Sequence, residues 1–248
     1  MPKSKKSRLD VFLVEHGYYS SREQAQRAVM AGEVRIDDRV MSKSSAMIEP
    51  GAVVSLQTPP PFVGRGGIKL AGALDHFNIS VQGWTAVDLG ASTGGFTDCL
   101  LQRGVAKVYA IDVGHGQLAW KIRNDPRVIV REKLNARYLT HNDVPEPIDL
   151  CVIDVSFISL TLILPKAFDL IAHNGVILAL IKPQFELRAD DVGRGGIVRD
   201  PSLHEKAQKK IRDFVVEAGH SVAGLVRSEI TGADGNQEFF ICVRRASA

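Results

Sequence analysis

TAVDLGASTGGFTDCLL, residues 85 to 101, changes period in its middle. Thr85-Ala86-Val87 is a short apolar run suited to a buried strand, whereas Phe96, Leu100 and Leu101 recur at helical spacing. Between them stands Gly90-Ala91-Ser92-Thr93-Gly94-Gly95, so the stretch predicts a strand that enters a helix through a glycine-rich turn. Glycines let a backbone approach a ligand closely, and the N–H groups that open a helix are unpaired donors. A nucleotide or nucleoside cofactor fits such a turn.

The spacing separates the candidate cofactors. A phosphate-binding loop of the Walker type ends in Gly-Lys-Ser/Thr, but Gly95 is followed by Phe96-Thr97. A dinucleotide fingerprint needs G-x-G-x-x-G, but Gly90, Gly94 and Gly95 give G-x-x-x-G-G. Asp88, inside the strand, suits a ligand that carries positive charge. The string Asp88-Leu89-Gly90-Ala91-Ser92-Thr93-Gly94-Gly95 resembles the first motif of S-adenosylmethionine-dependent methyltransferases. That resemblance implies a cofactor site at Asp88, Gly90, Ala91, Ser92, Thr93, Gly94, Gly95 and Phe96. A second strand, KVYAIDV at 107–113, ends in Asp112, about twenty residues past the glycines, where Rossmann-like sheets place a ribose-binding carboxylate.

With 248 residues, 45% of them hydrophobic and 24% charged, the chain has room for one full α/β domain and a small one. No apolar run reaches the length of a spanning helix, and the basic N-terminus leads into no signal-peptide core. A soluble cytoplasmic protein without stable membrane insertion, acting as a monomer, is the expectation. Cys99, Cys151 and Cys242 lack metal-ligand spacing and read as core thiols, and no metal is expected. The net charge of +3 favours an anionic partner only weakly.

Residues 1 to 58 read as a separate α+β unit. Arg8 to His16 predicts an amphipathic helix, and Ser20-Ser21-Arg22-Glu23 predicts a capping box that opens a second helix closed by Gly32. Val34-Arg35-Ile36 and Arg39-Val40 flank Asp37-Asp38 as a hairpin, and Ala52 to Leu56 supplies a later strand. Lys3, Lys5, Lys6, Arg8, Arg22, Arg27, Arg35, Arg39 and Lys43 outnumber the acids there. The pattern Ser21-Arg22-Glu23-Gln24-Ala25, then Gly32-Glu33-Val34-Arg35-Ile36, resembles the S-four-like RNA-binding domain of a ribosomal protein, pseudouridine synthases and tyrosyl-tRNA synthetases. Such a likeness implies contact with structured RNA through phosphates and shape, with Arg8, Arg22, Arg27, Arg35, Arg39 and Lys43 as candidate contacts.

Thr58-Pro59-Pro60-Pro61 favours an extended, semi-rigid spacer, and the linker is placed at 59–63. The second domain then spans 64–248. Gly64-Arg65-Gly66-Gly67 precedes a helix over Ile68 to His76, and the same string recurs at 193–196. Both read as flexible loops, with Arg65 and Arg194 facing a common ligand. From Trp84 on, strands near 84–90, 107–113, 128–132, 148–155, 175–182, 220–230 and 237–244 alternate with helices between the first six. The last two are close enough for a hairpin, which reverses the final strand. The fold class is therefore α/β, a Rossmann-like seven-stranded sheet behind a small α+β unit.

Polar residues stand where the apolar strands should exclude them. Asp154 ends IDLCVIDV, Lys182 follows the run 176–181, Glu238 opens FFICV, and Lys69 precedes the first strand of the sheet. A lysine among carboxylates suits methylation of a ribose hydroxyl, which is a poor nucleophile until its proton leaves; a desolvated lysine can accept it. Lys69, Asp154, Lys182 and Glu238 match in order and context the Lys-Asp-Lys-Glu tetrad of FtsJ-like ribose 2'-O-methyltransferases. Asp112-Val113-Gly114-His115-Gly116-Gln117-Leu118-Ala119-Trp120, Asp154-Val155-Ser156-Phe157-Ile158-Ser159, Lys182-Pro183-Gln184-Phe185-Glu186 and Gly235-Asn236-Gln237-Glu238-Phe239 resemble the TlyA family over nearly the whole chain. The resemblance implies S-adenosylmethionine as cofactor, Asp154 beside the transferred methyl, and cytidine riboses of ribosomal RNA or ribosomal subunits as substrate. It breaks at the linker, where Pro60-Pro61-Phe62-Val63 replaces the family's Arg-x-Trp-Val.

Two other classes compete. A hemolysin, a name the family carries, requires a lytic segment, and no strongly amphipathic basic helix is evident. A non-catalytic RNA-binding or ribosome-assembly factor needs only the first unit and leaves the acids and lysines of the second unexplained.

Overall fold

The computed structural model describes residues 6–49, 51–57, 60–193, 195–232 and 234–245. It divides into two units, Met1–Pro60 and Pro61–Ala248. Lys3 and Lys5 of the basic segment, Thr58 and Pro59 of the linker, and Arg194 of the second Gly-Arg-Gly-Gly string lie outside the described residues.

In the first unit β1 (Ser7–Arg8) and α1 (Leu9–Glu15) precede α2 (Arg22–Met30), followed by β2 (Val34–Ile36), β3 (Arg39–Val40), β4 (Met47–Ile48) and β5 (Val54–Leu56). Leu9 and Leu13 of α1 meet Ala25, Ala28 and Val29 of α2 over Val34, Ile36 and Ile48. The hairpin forms because Asp37 and Asp38 both adopt left-handed φ, 47° and 65°, which matches the twist of two antiparallel strands. The cap of α2 differs from the expected box: Ser21 Oγ accepts from the Gln24 N–H at 3.3 Å, and Ser20 Oγ donates to Gln24 Oε1 at 2.7 Å, so Gln24 takes the place expected of Glu23. The pairing of β1 with β4 is too short to leave a periodic signal.

The second unit runs α3 (Arg65–His76), β6 (Thr85–Leu89), α4 (Gly95–Gln102), β7 (Lys107–Asp112), α5 (Trp120–Arg123), β8 (Val128–Glu132), β9 (Ile148–Ile153), α6 (Leu164–Leu170), β10 (Ile171–Ile181), α7 (Pro183–Glu186), α8 (Pro201–Glu217), β11 (Ser221–Arg227) and β12 (Phe239–Arg244). The seven strands lie in the order β11-β12-β10-β9-β6-β7-β8. β12 is antiparallel to both neighbours, the one reversed strand, while β9, β6, β7, β8 and β10 pair in parallel. Alternate residues of the central strands feed two cores. Val87, Leu89, Cys151, Ile153, Ile177 and Ala179 face α6 and α8, whereas Ala86, Val108, Leu150, Val152 and Leu178 face α3 and α4. Strands covered on both faces are apolar throughout, which is why their sequence shows runs rather than alternation.

Three expectations need correction. Between β8 and β9 there is no α-helix, only a single 3-10 turn at Ala136–Tyr138, because Pro145, Pro147 and the Thr140-His141-Asn142-Asp143 cluster do not sustain helical hydrogen bonding. β10 begins at Ile171, directly after α6, and shifts register before Val176. The first Gly-Arg-Gly-Gly string is the opening turn of α3, capped at Gly64, rather than a flexible loop. Its glycines permit close packing: a Cβ on Gly66 would lie 3.1 Å from the Phe96 ring, and one on Gly67 would lie 2.3 Å from Phe62 Cγ.

Phe62 is thereby seated on α3, Val63 N donates to Asp98 Oδ2 at 2.8 Å, and Gln102 Nε2 donates to the Pro61 carbonyl at 2.9 Å. Gly67→Ala is expected to lower the stability of this unit by about 1–3 kcal/mol in urea unfolding, since the overlap falls on the root of the Phe62 side chain, which cannot swing away.

Candidate active site

The carboxyl ends of β6, β7 and β9 are tied to one another through the backbone. Gly90 N and Ala91 N donate to the Ile111 carbonyl at 2.9 and 3.1 Å, and Asp154 N donates to the Leu89 carbonyl at 2.9 Å. A cleft of about 560 Å³ opens over these ends. Of the residues singled out in the sequence, Gly90, Ser92, Asp112 and Asp154 line it, joined by Gln117, Asn135 and Phe157. Gly90 has φ 90°, and a Cβ there would lie 2.3 Å from the Asp154 carbonyl oxygen, so no other residue lets the two strand ends meet. Ser92 and Thr93 are exposed on the turn, whereas Ala91, Gly94 and Gly95 are buried beneath it. Phe96 offers the turn only its backbone; its ring is buried and stacked on Phe240, with centroids 6.0 Å apart.

Three carboxylates converge on this edge. Asp112 is committed to the turns on either side: Ser92 N donates to its Oδ2 at 2.8 Å and Gly114 N to its Oδ1 at 2.7 Å. Asp88 is fully buried; Thr97 Oγ1 donates to its Oδ2 at 2.6 Å, and its Oδ1 has no partner among the described residues. Burial pushes the Asp88 carboxyl up to about 7, the bond from Thr97 opposing and the charges of Asp154 and Asp112 adding to the rise.

The tetrad residues come together as two ion pairs. Lys69 Nζ, on α3, donates to Glu238 Oε2 at 2.6 Å, with side chains only 9% and 3% exposed. Lys182 Nζ stands 2.6 Å from Asp154 Oδ1, at an angle too steep for a hydrogen bond, and donates instead to Ser156 Oγ at 2.9 Å. Asp154 thus belongs both to the cleft wall and to the lysine pair. Gly232 yields to the other pair, since a Cβ there would lie 2.5 Å from Glu238 Oε1.

Phe157 was not foreseen. It is 90% exposed on the cleft rim, has φ 63°, and lies 5.1 Å from the Phe185 ring. Its position three residues beyond Asp154 was the available signal, but the left-handed backbone that turns its ring outward is not written in residue type. In the first unit, Arg8 and Arg22 converge on Asp10: Arg8 Nε and Nη2 donate to its two oxygens at 3.0 Å each, Arg22 Nη2 donates to Oδ2 at 3.0 Å, and Gln26 Nε2 at 2.7 Å. The Asp10 carboxyl is buried, and the bonds from Arg8 above all hold it well below the usual carboxylate range. Arg27, Arg39 and Lys43 are exposed and Arg35 is half-buried. Arg65 donates to the Thr231 carbonyl at 2.8 Å, a contact within the second unit.

A Rossmann-like sheet with one reversed strand, a glycine-rich turn and strand-end carboxylates defines a methyltransferase domain, here following a small basic α+β domain in the sequence. The model of the FtsJ-like methyltransferase family matches residues 62–245, and that of the S4 domain matches residues 7–54. The chain belongs to the FtsJ-like methyltransferases and, among them, to the TlyA family. It is 46% identical to YqxC of Bacillus subtilis, which carries an rRNA methyltransferase name, over 96% of this chain and 85% of that one. It is 42% identical to the 16S/23S rRNA (cytidine-2'-O)-methyltransferase TlyA of Mycobacterium tuberculosis, over 97% and 91%. A Streptococcus thermophilus structure solved under the hemolysin name superposes with a TM-score of 0.75 at 43% identity, over 98% of this chain and 90% of that one. No described helix is long and apolar enough to cross a membrane.

The state of Asp88 sets a pH dependence. An unfolded aspartate releases its proton near 4, but the folded protein retains it to about 7. Between those values the folded state binds the extra proton, so this residue's contribution makes stability fall as pH rises, by an amount on the order of 4 kcal/mol at about 1.4 kcal/mol per unit. The gap between wild type and Asp88→Asn in urea unfolding is expected to shift against the wild type from pH 4 to 7 and then level off.

Proposed function

We propose that the protein transfers a methyl group from S-adenosylmethionine to the 2'-hydroxyl of a cytidine in ribosomal RNA. The observation that carries this reading is the convergence of Asp88, Asp112 and Asp154 on the glycine-rich turn, with Lys182 paired to the last of them. Three carboxylates that share a single lysine favour a positively charged donor, and the unpartnered Asp88 Oδ1 fits an amine-bearing group. Asp88, the turn from Gly90 to Phe96 and Asp112 would hold the cofactor, with Asp154 next to its reactive end. S-adenosylmethionine supplies, when bound, an electrophilic methyl on a sulfonium.

Lys182, after losing its own proton to solvent, takes the proton of the ribose hydroxyl as a neutral amine, and Asp154 stabilises the ammonium that results, the state present in the ion pair. With Ser156 and Asp154 fixing two sides of its nitrogen, Lys182 has one direction left for substrate. The buried pair of Lys69 and Glu238 orients the ribose, a gain of alignment rather than of chemistry. Phe157 presents an aromatic face for an unpaired base, the usual mode of reading single-stranded RNA. Residues 1–58 supply affinity for ribosomal RNA through Arg8, Arg22, Arg27, Arg35, Arg39 and Lys43, residues 59–63 link, and residues 64–248 do the chemistry. Arg65 and Arg194 would add RNA contacts from the second unit, and the enzyme would act as a cytoplasmic monomer. The relatives named for rRNA methylation support this substrate.

Calorimetry with S-adenosylhomocysteine is expected to show binding that Gly90→Ala abolishes, because the added methyl overlaps the Asp154 carbonyl. Tight binding of NAD or ATP in its place would refute the cofactor. Lys182→Ala should slow single-turnover transfer about a hundred- to ten-thousand-fold while leaving that binding intact; transfer at the wild-type rate would remove Lys182 from the chemistry. Deleting residues 1–58 should weaken RNA binding and flatten its salt dependence without loss of cofactor binding. An unchanged salt slope would assign the RNA contacts elsewhere.

A further inference from the structure

The sequence string Lys182-Pro183-Gln184-Phe185-Glu186 contains one buried acid that the proposed reaction does not use. Glu186, at the end of α7, is 6% exposed, yet its carboxylate is saturated. Ser159 Oγ donates to Oε2 at 2.6 Å, the Leu160 N–H donates to Oε1 at 2.8 Å, and Lys210 Nζ, from α8, donates to Oε2 at 2.8 Å. Lys210 also donates to the Glu186 carbonyl at 2.8 Å and to Ser159 Oγ at 3.2 Å. The bonds from Ser159 and Leu160 fasten one short piece of chain to the helix that follows Lys182, and Lys210 ties both to α8.

That piece is the far end of an arch. Its near end is Asp154, fixed to β6 by the bond from its N–H to the Leu89 carbonyl. Between the two anchors stand Val155, Ser156, Phe157 and Ile158, all lining the cleft, with Ser156 on Lys182 and Phe157 in the left-handed region. A bulky residue at positive φ keeps that conformation only when its surroundings enforce it. The near anchor alone leaves the arch free to relax, because Phe157 is 90% exposed and touches little besides Phe185.

We propose that Glu186 is a positioning residue for methyl transfer: with Lys210 it clamps Ser159 and Leu160, and so holds Phe157 in the outward conformation that receives the target base. This rests on the reading of Asp154, Lys182 and Phe157 given above. Glu186 touches neither substrate nor cofactor in this scheme, so its loss acts through the arch. Gly90, Ser92 and Asp112, proposed above to hold the cofactor, lie outside the arch, so cofactor binding should be spared.

The test uses the full-length protein, S-adenosylhomocysteine, and ribosomes from cells that lack the gene. Glu186→Ala should lower single-turnover transfer about 30- to 100-fold, the scale of a small misplacement of the substrate, with cofactor-analogue affinity within about threefold of wild type. Glu186→Gln, whose carbonyl still accepts from Leu160, should recover most of the rate. Lys210→Met, at a partly exposed position, should fall between them. The decisive comparison is a double-mutant cycle: once Phe157→Ala has removed what the arch presents, Glu186→Ala should cost no more than about threefold further. Additive losses, or a parallel fall in cofactor-analogue affinity, would make Glu186 a general staple and overturn the proposal. A near-wild-type Glu186→Ala alongside impaired Phe157→Ala and Lys182→Ala would overturn it too, while the reading of the site stood. Wild-type transfer by both Phe157→Ala and Lys182→Ala would instead overturn the site reading. If Glu186→Ala fails to fold by circular dichroism, Glu186→Gln and Lys210→Met carry the same cycle.

Discussion

The contact on which the candidate site depends is between two stretches of backbone. At Gly90 the chain leaves β6 so close to the Asp154 carbonyl that a Cβ would lie 2.3 Å from it. Because Gly90 is bare, the ends of β6 and β9 can stay side by side, and Asp88, Asp112 and Asp154 share one small region. Their mutual repulsion is the reason the buried Asp88 keeps its proton to about 7, after burial itself. A fold that concentrates three acids where strands end carries an electrostatic cost, relieved in part by the proton on Asp88 and by Lys182 beside Asp154.

A similar logic applies to the two lysine pairs, which differ in their surroundings. Lys69 and Glu238 are separated by 169 positions yet meet almost completely buried, joining the helix that opens the unit to the hairpin that closes the sheet. A buried pair gains little over an apolar pair of the same volume, but losing one partner leaves the other stranded, at about 3–5 kcal/mol. Such a pair resists change one residue at a time. Lys182 and Asp154 are 11% and 20% exposed, and Asp154 lines the cleft, where water and substrate can compete for it. Permanence suits the orienting role proposed for the first pair, and exchange suits the proton-handling role proposed for the second.

Much of the fold was legible because its signals are local. The apolar runs at 85–89, 107–112 and 148–153 are strands buried on both faces, and the close spacing of the last two strands gave the reversed one. What was misread depends on partners distant in sequence. Gly64-Arg65-Gly66-Gly67 looks like a loop by composition, yet it is helical because its missing side chains admit Phe62 and Phe96. Lys69, Asp154, Lys182 and Glu238 were detectable as polar residues at apolar strand ends, but nothing in their order says that they meet as two pairs. Phe157 and Glu186 stayed hidden because the ring of one is turned outward by its backbone angle and the carboxylate of the other is held by Ser159, Leu160 and Lys210, all distant in sequence from it.

The first unit solves an opposite problem, how to keep charge exposed and still ordered. Arginine loses considerable rotamer freedom when it docks on phosphate, and a side chain already held in place loses less. Buried Asp10 does this for Arg8 and Arg22, gripping one edge of the first guanidinium and one nitrogen of the second while the side chains remain 45% and 55% exposed. Arg27, Arg39 and Lys43 are exposed without such a grip among the described residues. A rigid pair of cations can distinguish the spacing of phosphates on a folded RNA, whereas the free ones add attraction that any polyanion would feel. Selectivity for structured RNA would therefore reside with the two arginines that share one acid, and the remaining charges would set how strongly binding responds to salt.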